Sequence, residues 1–357
     1  MTRPSQAIID LNALRHNYSR MRALHGGRAL AVVKANAYGH GALHCARALS
    51  AYGVDGFGVA FTAEALELRT GGIELPILVL EGFFDGEELI AAATQGLWTA
   101  VQQESQLQLI EQTLLPTQSI HAWLKIDTGM HRAGFDPAQV EHAYNRLIAC
   151  PSVASVTFMT HFARSDEPDQ AMTARQIAIF DQATAHLPGA RSMSNSGGII
   201  GWPQSRRDWA RPGIVLYGAD PMPTHDHGLI PVMTLQSQVF AVKTIQSGET
   251  VGYGATFVAD RPTRSGLVAI GYADGYPRST PTGTPIAVDG HLTRTLGRVS
   301  MDMMSVDLTD FPELGIGSVV ECWGKQIDVN LVAQASGTIS YELLCNVKRV
   351  PRVYVGD

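Results

Sequence analysis

Cysteine is scarce: four residues in 357, Cys45, Cys150, Cys322 and Cys345, with no CxxC spacing among them. That pattern reads as reduced thiols in a cytoplasmic setting rather than a disulfide framework. No uninterrupted apolar stretch approaches membrane-spanning length, and Asp10, Asn12, Arg15 and His16 fall where the apolar core of a signal peptide would lie. A net charge of −6 leaves no basic stripe for nucleic acid or anionic lipid. With 45% hydrophobic and 17% charged residues, and 35 glycines spread along the chain, low complexity and disorder are excluded as well. A chain of 357 residues exceeds one typical core and predicts about two domains.

What is present is an alternation. Strand-like runs at 30–33, 56–60, 77–80, 97–101, 122–126, 153–159, 191–194 and 213–217 are separated, for the most part, by amphipathic stretches. Leu11, Leu14, Tyr18 and Met21 share one helix face that Asp10 would cap, and Ile177, Phe180, Ala183 and Leu187 form a second stripe. Eight strands with intervening helices predict an α/β fold, an N-terminal (β/α)8 TIM-like barrel over residues 1–230, with a doubly wound sheet as the alternative. Residues 1–10 are read as a strand able to join the second domain. Beyond the linker at 221–228 the runs at 239–242, 267–270, 286–288, 304–306 and 319–320 are broken by turn signals, which predicts a C-terminal all-β domain over 231–357. His225 and His227 in that linker read as solvated residues, not metal ligands.

A barrel carries its site at the C-terminal ends of its strands. Lys34 follows the first predicted strand, inside Val33-Lys34-Ala35-Asn36-Ala37-Tyr38-Gly39-His40-Gly41. Lys125, Asp127, His131 and Arg132 lie at or after the fifth strand, His161 after the sixth, Asn195 and Ser196 after the seventh, and Arg211 opens the eighth. A lysine in that position suits covalent capture of an aldehyde. The glycine-rich turn Ser194-Asn195-Ser196-Gly197-Gly198, with Arg211-Pro212-Gly213-Ile214 nearby, suits a phosphate. An aldehyde and a phosphate on one ligand point to pyridoxal 5′-phosphate.

Over essentially its whole length the chain resembles the alanine racemases, fold-type III pyridoxal-phosphate enzymes. The resemblance rests on the Lys34 stretch and on Leu124-Lys125-Ile126-Asp127-Thr128-Gly129-Met130-His131-Arg132. It extends to Thr160-His161-Phe162-Ala163, Val251-Gly252-Tyr253-Gly254-Ala255, Gly271-Tyr272-Ala273-Asp274-Gly275-Tyr276-Pro277-Arg278 and Gly297-Arg298-Val299-Ser300-Met301-Asp302-Met303. It implies a homodimer acting on alanine, with Lys34 as the Schiff-base lysine and one catalytic base. Tyr253 of the partner subunit would be the opposing base. Tyr38, Asn195, Ser196, Gly213, Ile214 and Tyr341 would bind the cofactor, chiefly its phosphate. Arg211 would face the pyridine nitrogen, with His161 linking it toward Tyr253. Arg132, Met301, Asp302 and Tyr272 would shape the substrate pocket. Lys125 matches a lysine carbamylated in many relatives, where the resulting anion would orient Arg132. The stretch 345–351 leans toward the catabolic type of the family. Two positions depart from its usual pattern: Gly197, where alanine is common, and Ala133, where a larger aliphatic is usual.

Racemisation requires a proton taken from one face of Cα and another delivered to the opposite face, so two bases suffice. An arginine against the ring nitrogen weakens the ring as an electron sink by disfavouring its protonation. Decarboxylases of this fold place a carboxylate there, so Arg211 argues against that alternative. The second domain argues against a non-catalytic cofactor carrier built on the barrel alone. Serine, one hydroxyl larger than alanine, remains a second substrate to consider.

Overall fold

The computed structural model describes residues 3–224 and 227–356; His225 lies outside them. Eight short parallel strands, Arg28–Val32, Gly56–Val59, Ile77–Val79, Trp98–Val101, Ile120–Lys125, Val153–Met159, Ala190–Ser192 and Trp209–Ala210, make the first sheet. Each of the first six pairs with the next, and the eighth returns to the first, with Arg28 opposite Trp209 and Ala29 opposite Ala210. The seam between the seventh and eighth is held by Ser192 Oγ donating to Trp209 O at 2.8 Å and by Arg211 N–H donating to Ser194 O at 2.9 Å. The result is a nearly closed (β/α)8 barrel.

Its helices start and stop where the sequence dictates. Asp10 caps Leu11–His25 by accepting from the N–H groups of Asn12 and Ala13, and Gly26 ends the helix in the left-handed conformation at φ 80°. Leu11, Leu14, Tyr18 and Met21 are all buried under that helix. The N-terminal end of the barrel is floored by Trp98, Trp123 and Trp209, whose ring centroids lie 5.4 to 6.0 Å apart. The Arg28 guanidinium covers Trp209 at 4.1 Å. With that end plugged by aromatics, the polar strand ends gather at the other.

One predicted strand is corrected. Residues 213–217 are not the eighth strand: Ile214–Tyr217 is a 3-10 turn with Leu216 N–H donating to Gly213 O at 2.9 Å, and the eighth strand is Trp209–Ala210. The reason is local. Gly213 sits at φ −119°, ψ −94°, outside the extended region, and Gly218 closes the segment at φ 83°. Four fully buried apolar residues between two glycines satisfy a buried turn as well as a buried strand. Arg211 therefore follows the last barrel strand instead of opening it.

The second sheet closes on itself in the order Thr263–Val268, Met304–Asp307, His291–Leu296, Pro285–Val288, Val319–Trp323, Met233–Ile245 and back to Thr263–Val268. The long strand Met233–Ile245 makes this work. Its later half pairs with Thr263–Val268, while its first residues pair antiparallel with Gln6–Asp10, which in turn runs parallel to Arg352–Val355. The N-terminal strand thus belongs to the second sheet and leads directly into the first barrel helix. Two short helices, Val329–Ala335 and Ser340–Cys345, accompany the strands of this C-terminal β domain. Ser340–Cys345 packs on the segment after Lys34, where a Cβ at Gly39 would collide with Leu344 O. Among the described residues no helix is long and apolar enough to cross a membrane.

Candidate active site

Lys34 follows the first barrel strand, and the four residues after it take an uncommon conformation. Ala35, Asn36, Ala37 and Tyr38 all have positive φ, 51°, 55°, 53° and 50°, and form a left-handed turn without glycine. Each such residue costs about 1–2 kcal/mol, so the surroundings must impose the turn. They do so through named bonds. Ala35 N–H donates to Glu64 Oε1 at 2.7 Å, Ala37 N–H to Val33 O at 2.8 Å, and Ala42 N–H to Asn36 Oδ1 at 2.8 Å. Buried His40 adds its Nδ1, 2.9 Å from both Ala37 O and Tyr38 O. The turn carries the Tyr38 ring into the barrel mouth, beside Tyr217 at 4.9 Å and Tyr341 at 6.0 Å between centroids.

A cavity of about 370 Å³ opens there, within the size range of small-molecule sites. Its walls include Lys34, Tyr38, Lys125, Arg132, His161, Asn195, Ser196, Arg211, Gly213, Ile214 and Tyr341. One end is a cradle of neutral donors. Asn195 caps the helix Ser196–Gly201 by accepting from Gly198 N–H, and Ser196 Oγ accepts from Gly213 N–H at 3.0 Å. Burial raises the phenols of Tyr38 and Tyr341, the latter to about 12, so both stay protonated and able to donate. A Cβ at Gly213 would sit 2.6 Å from Tyr38 Oη, which keeps this wall free of a side chain. The departure at Gly197 has a steric cause of the same kind: a Cβ there would lie 2.9 Å from the Ser165 carbonyl carbon and oxygen.

The other end is cationic. Lys34, Lys125, Arg132 and Arg211 line the cavity against one carboxylate, Glu81, among the described residues. Arg211 is buried, and among the described residues its side chain is held by neutral oxygens alone, Ser192 Oγ, Thr160 O and, at 3.4 Å, Met193 O. Burial lowers it to about 10, which leaves it charged at neutral pH. His161 is held well below its ordinary range, first by burial and then by Arg211, Arg132, Lys125 and Lys34, so its imidazole is neutral. Lys125 is lowered to about 8, again chiefly by burial, with Glu81 opposing and the neighbouring cations adding to the shift. The Arg132 loop is shaped by Asp127, whose Oδ1 accepts from the N–H groups of Gly129 and His131 at 3.0 Å.

Four of the predicted site residues lie elsewhere. Tyr253, Tyr272, Met301 and Asp302 belong to the C-terminal domain and do not line this cavity. Tyr253 stands 66% exposed on a turn between Gly252 and Gly254, at φ 76° and 74°. Tyr272 and Met301 are exposed on adjoining loops tied by Tyr272 N–H to Ser300 O at 3.0 Å and Ala273 N–H to Met301 O at 2.9 Å. Conversely, the sequence reading passed over Glu81, Met159 and Cys345, which line the cavity, and Gln102 and Gln176, which brace it. Glu81 and Gln102 follow the third and fourth barrel strands, so the strand-end rule, applied to every strand, would have found them.

Fold and site together define a pyridoxal-phosphate enzyme of the barrel type. Comparison with known proteins narrows the class. Residues 9–221 match the model for the alanine racemase N-terminal domain and residues 232–354 that for the C-terminal domain. The alanine racemase of Aromatoleum aromaticum is 58% identical over 99% of this chain and 100% of its own, and the catabolic alanine racemase of Pseudomonas putida 53% identical over 99% and 100%. Among solved structures, the biosynthetic alanine racemase from Pseudomonas aeruginosa superposes with a TM-score of 0.96 at 43% identity, covering 99% of this chain and 100% of that one. The Bartonella henselae enzyme, solved with covalently bound pyridoxal phosphate, gives 0.89 at 31% identity, covering 99% and 100%. The chain belongs to the alanine racemase family.

Proposed function

We propose that this cavity racemises alanine with two bases, Lys34 on one face of Cα and Tyr253 of the partner subunit on the other. The activity is that of the family: a pyridoxal-phosphate-dependent isomerase interconverting L- and D-alanine. The residues present fit the cofactor. An amine at the barrel mouth suits its aldehyde, the Tyr38, Ser196 and Tyr341 hydroxyls around the bare Gly213 wall suit its phosphate, and Arg211 lies in the same cavity for its ring nitrogen. When bound, pyridoxal phosphate supplies an electron sink that acidifies the Cα–H of an attached amino acid.

The protein's own groups do the rest. Lys34 holds the cofactor and moves a proton at Cα from the barrel side. Arg211, charged and without a carboxylate partner among the described residues, disfavours a proton on the ring nitrogen, which supports racemisation over decarboxylation. Arg132 binds the substrate carboxylate. Lys125, lowered to about 8, has an accessible neutral amine that suits addition of CO2, and the carbamate would orient Arg132. An exposed Tyr253 on a glycine-flanked turn, with Tyr272, Met301 and Asp302 on the same domain, is what a homodimer with shared sites requires. Bulky Tyr253, Tyr272 and Met301 would keep the pocket small, favouring alanine over longer side chains.

The observation that carries this reading is Lys34 sharing one cavity with Arg211 and the Gly213 cradle. A panel of L-amino acids in heavy water tests it, read by loss of optical rotation and by deuterium uptake at Cα. Alanine should lose rotation fastest and take up deuterium in step. Retention of rotation by alanine would overturn the reading.

A further inference from the structure

Glu81, Gln102 and Lys125 stand at the C-terminal ends of three consecutive barrel strands, Ile77–Val79, Trp98–Val101 and Ile120–Lys125. Lys125 is buried, and its one side-chain hydrogen bond among the described residues runs from Nζ to Gln102 Oε1 at 3.1 Å. The Gln102 amide has no freedom to turn. Its Nε2 donates to Glu81 O at 2.9 Å, and its backbone N–H donates to Gln106 Oε1 at 2.9 Å. Gln106, itself 2% exposed, donates from Nε2 to Glu81 O at 3.1 Å and to Phe83 O at 3.0 Å. Two glutamines therefore clasp the loop after the third strand, and because an amide nitrogen must face Glu81 O, the amide oxygen must face Lys125.

We infer that Gln102 is the positioning residue that lets Lys125 take up CO2. The inference rests on the reading of Lys125 given above. In that step the neutral amine's lone pair forms an N–C bond to carbon dioxide, one C=O π pair moves onto oxygen, and one nitrogen proton leaves to solvent. The single N–H left on the carbamate keeps its bond to Gln102 Oε1, so one fixed acceptor serves the lysine before and after the reaction. A neutral amide is the required type. A glutamate at this position would pair with the ammonium and repel the carbamate, trapping the lysine in its unreactive form. It would also set an acceptor against Glu81 O, which offers no proton.

The test is carbon-13 NMR of the holoenzyme equilibrated with carbon-13 bicarbonate, for wild type, Lys125→Ala and Gln102→Glu, with circular dichroism and cofactor absorbance as checks on folding. Wild type should show a carbamate resonance that Lys125→Ala abolishes. In Gln102→Glu that resonance should fall by about tenfold or more at the same bicarbonate concentration, the effect of a like charge worth about one pKa unit. If Gln102→Glu does not fold, Gln102→Leu, which removes the acceptor without adding charge, should lose the resonance as well. An undiminished resonance in the folded variant overturns the role of Gln102 and leaves the carbamate reading standing. No resonance in wild type overturns both.

Discussion

Gly213 faces Tyr38 so closely that a Cβ on the glycine would lie 2.6 Å from the phenol oxygen. The contact joins the turn after the last barrel strand to the left-handed turn after the first, beside the pairing of those two strands. Gly213→Ala must displace the Tyr38 ring, at about 1–3 kcal/mol for overpacking a full site. Affinity for pyridoxal phosphate should fall about tenfold or more, measured by absorbance titration, with a lower Tm. An unchanged affinity would remove Tyr38 and Gly213 from the phosphate cradle.

Lys34→Ala should abolish the visible absorbance of covalently held cofactor and reduce racemisation by about a thousandfold or more, since one group loses two roles. Full racemisation by that variant would sink the mechanism.

Tyr253→Phe should leave folding and cofactor content unchanged, because the side chain is 66% exposed, while racemisation collapses. A mixture tests the shared site. If each site takes Lys34 from one subunit and Tyr253 from the other, re-equilibrated equal amounts of Lys34→Ala and Tyr253→Phe protein are about half heterodimers, each with one intact site. Activity should recover to about a quarter of wild type. No recovery would mean both bases come from the same chain.

Lys125 makes stability depend on pH. Its folded value of about 8 lies below the ordinary 10.5, so the folded state binds fewer protons than the unfolded chain between those values. Stability therefore rises with pH across that window, and the cost of burying the charge is fully present below about 8. In CO2-free buffer, Lys125→Met should be more stable than wild type at pH 7 by up to about 3 kcal/mol, a margin that shrinks toward pH 10. Parallel denaturation curves at both pH values check this, and a margin that grows with pH contradicts it.

If the partner subunit's C-terminal domain closes the pocket as proposed, Met301→Ala should widen it. The expected result is a rise of about tenfold in kcat/KM for serine or 2-aminobutyrate relative to alanine, the scale of one or two methylenes in an apolar pocket. An unchanged ratio would place Met301 outside the substrate's reach.

Much of the barrel was legible because its strands and helices obey local rules: Asp10 caps, Gly26 stops, and apolar runs recur at barrel spacing. The run 213–217 misled because a buried turn and a buried strand share one composition, and the torsion of Gly213 decided between them. Glu81 and Gln102 escaped notice because neither residue type announces cofactor chemistry. Their importance comes from the loop clasp that only the folded barrel assembles.

The sequence by itself determined which chemical groups stand at strand ends, since a period of barrel strands sends each terminal residue to the same rim. That was enough to single out Lys34, Lys125 and His161; Arg211, read as opening the eighth strand, stands at the same rim because the eighth strand is Trp209–Ala210. Tertiary structure alone decided how they act. No local preference makes all four of Ala35, Asn36, Ala37 and Tyr38 left-handed; Glu64, Ala42 and the packed Tyr217 impose it from outside the segment. Burial, which arises only when distant strands close a barrel, brings Lys125 to about 8 and leaves Arg211 charged without a counterion among the described residues.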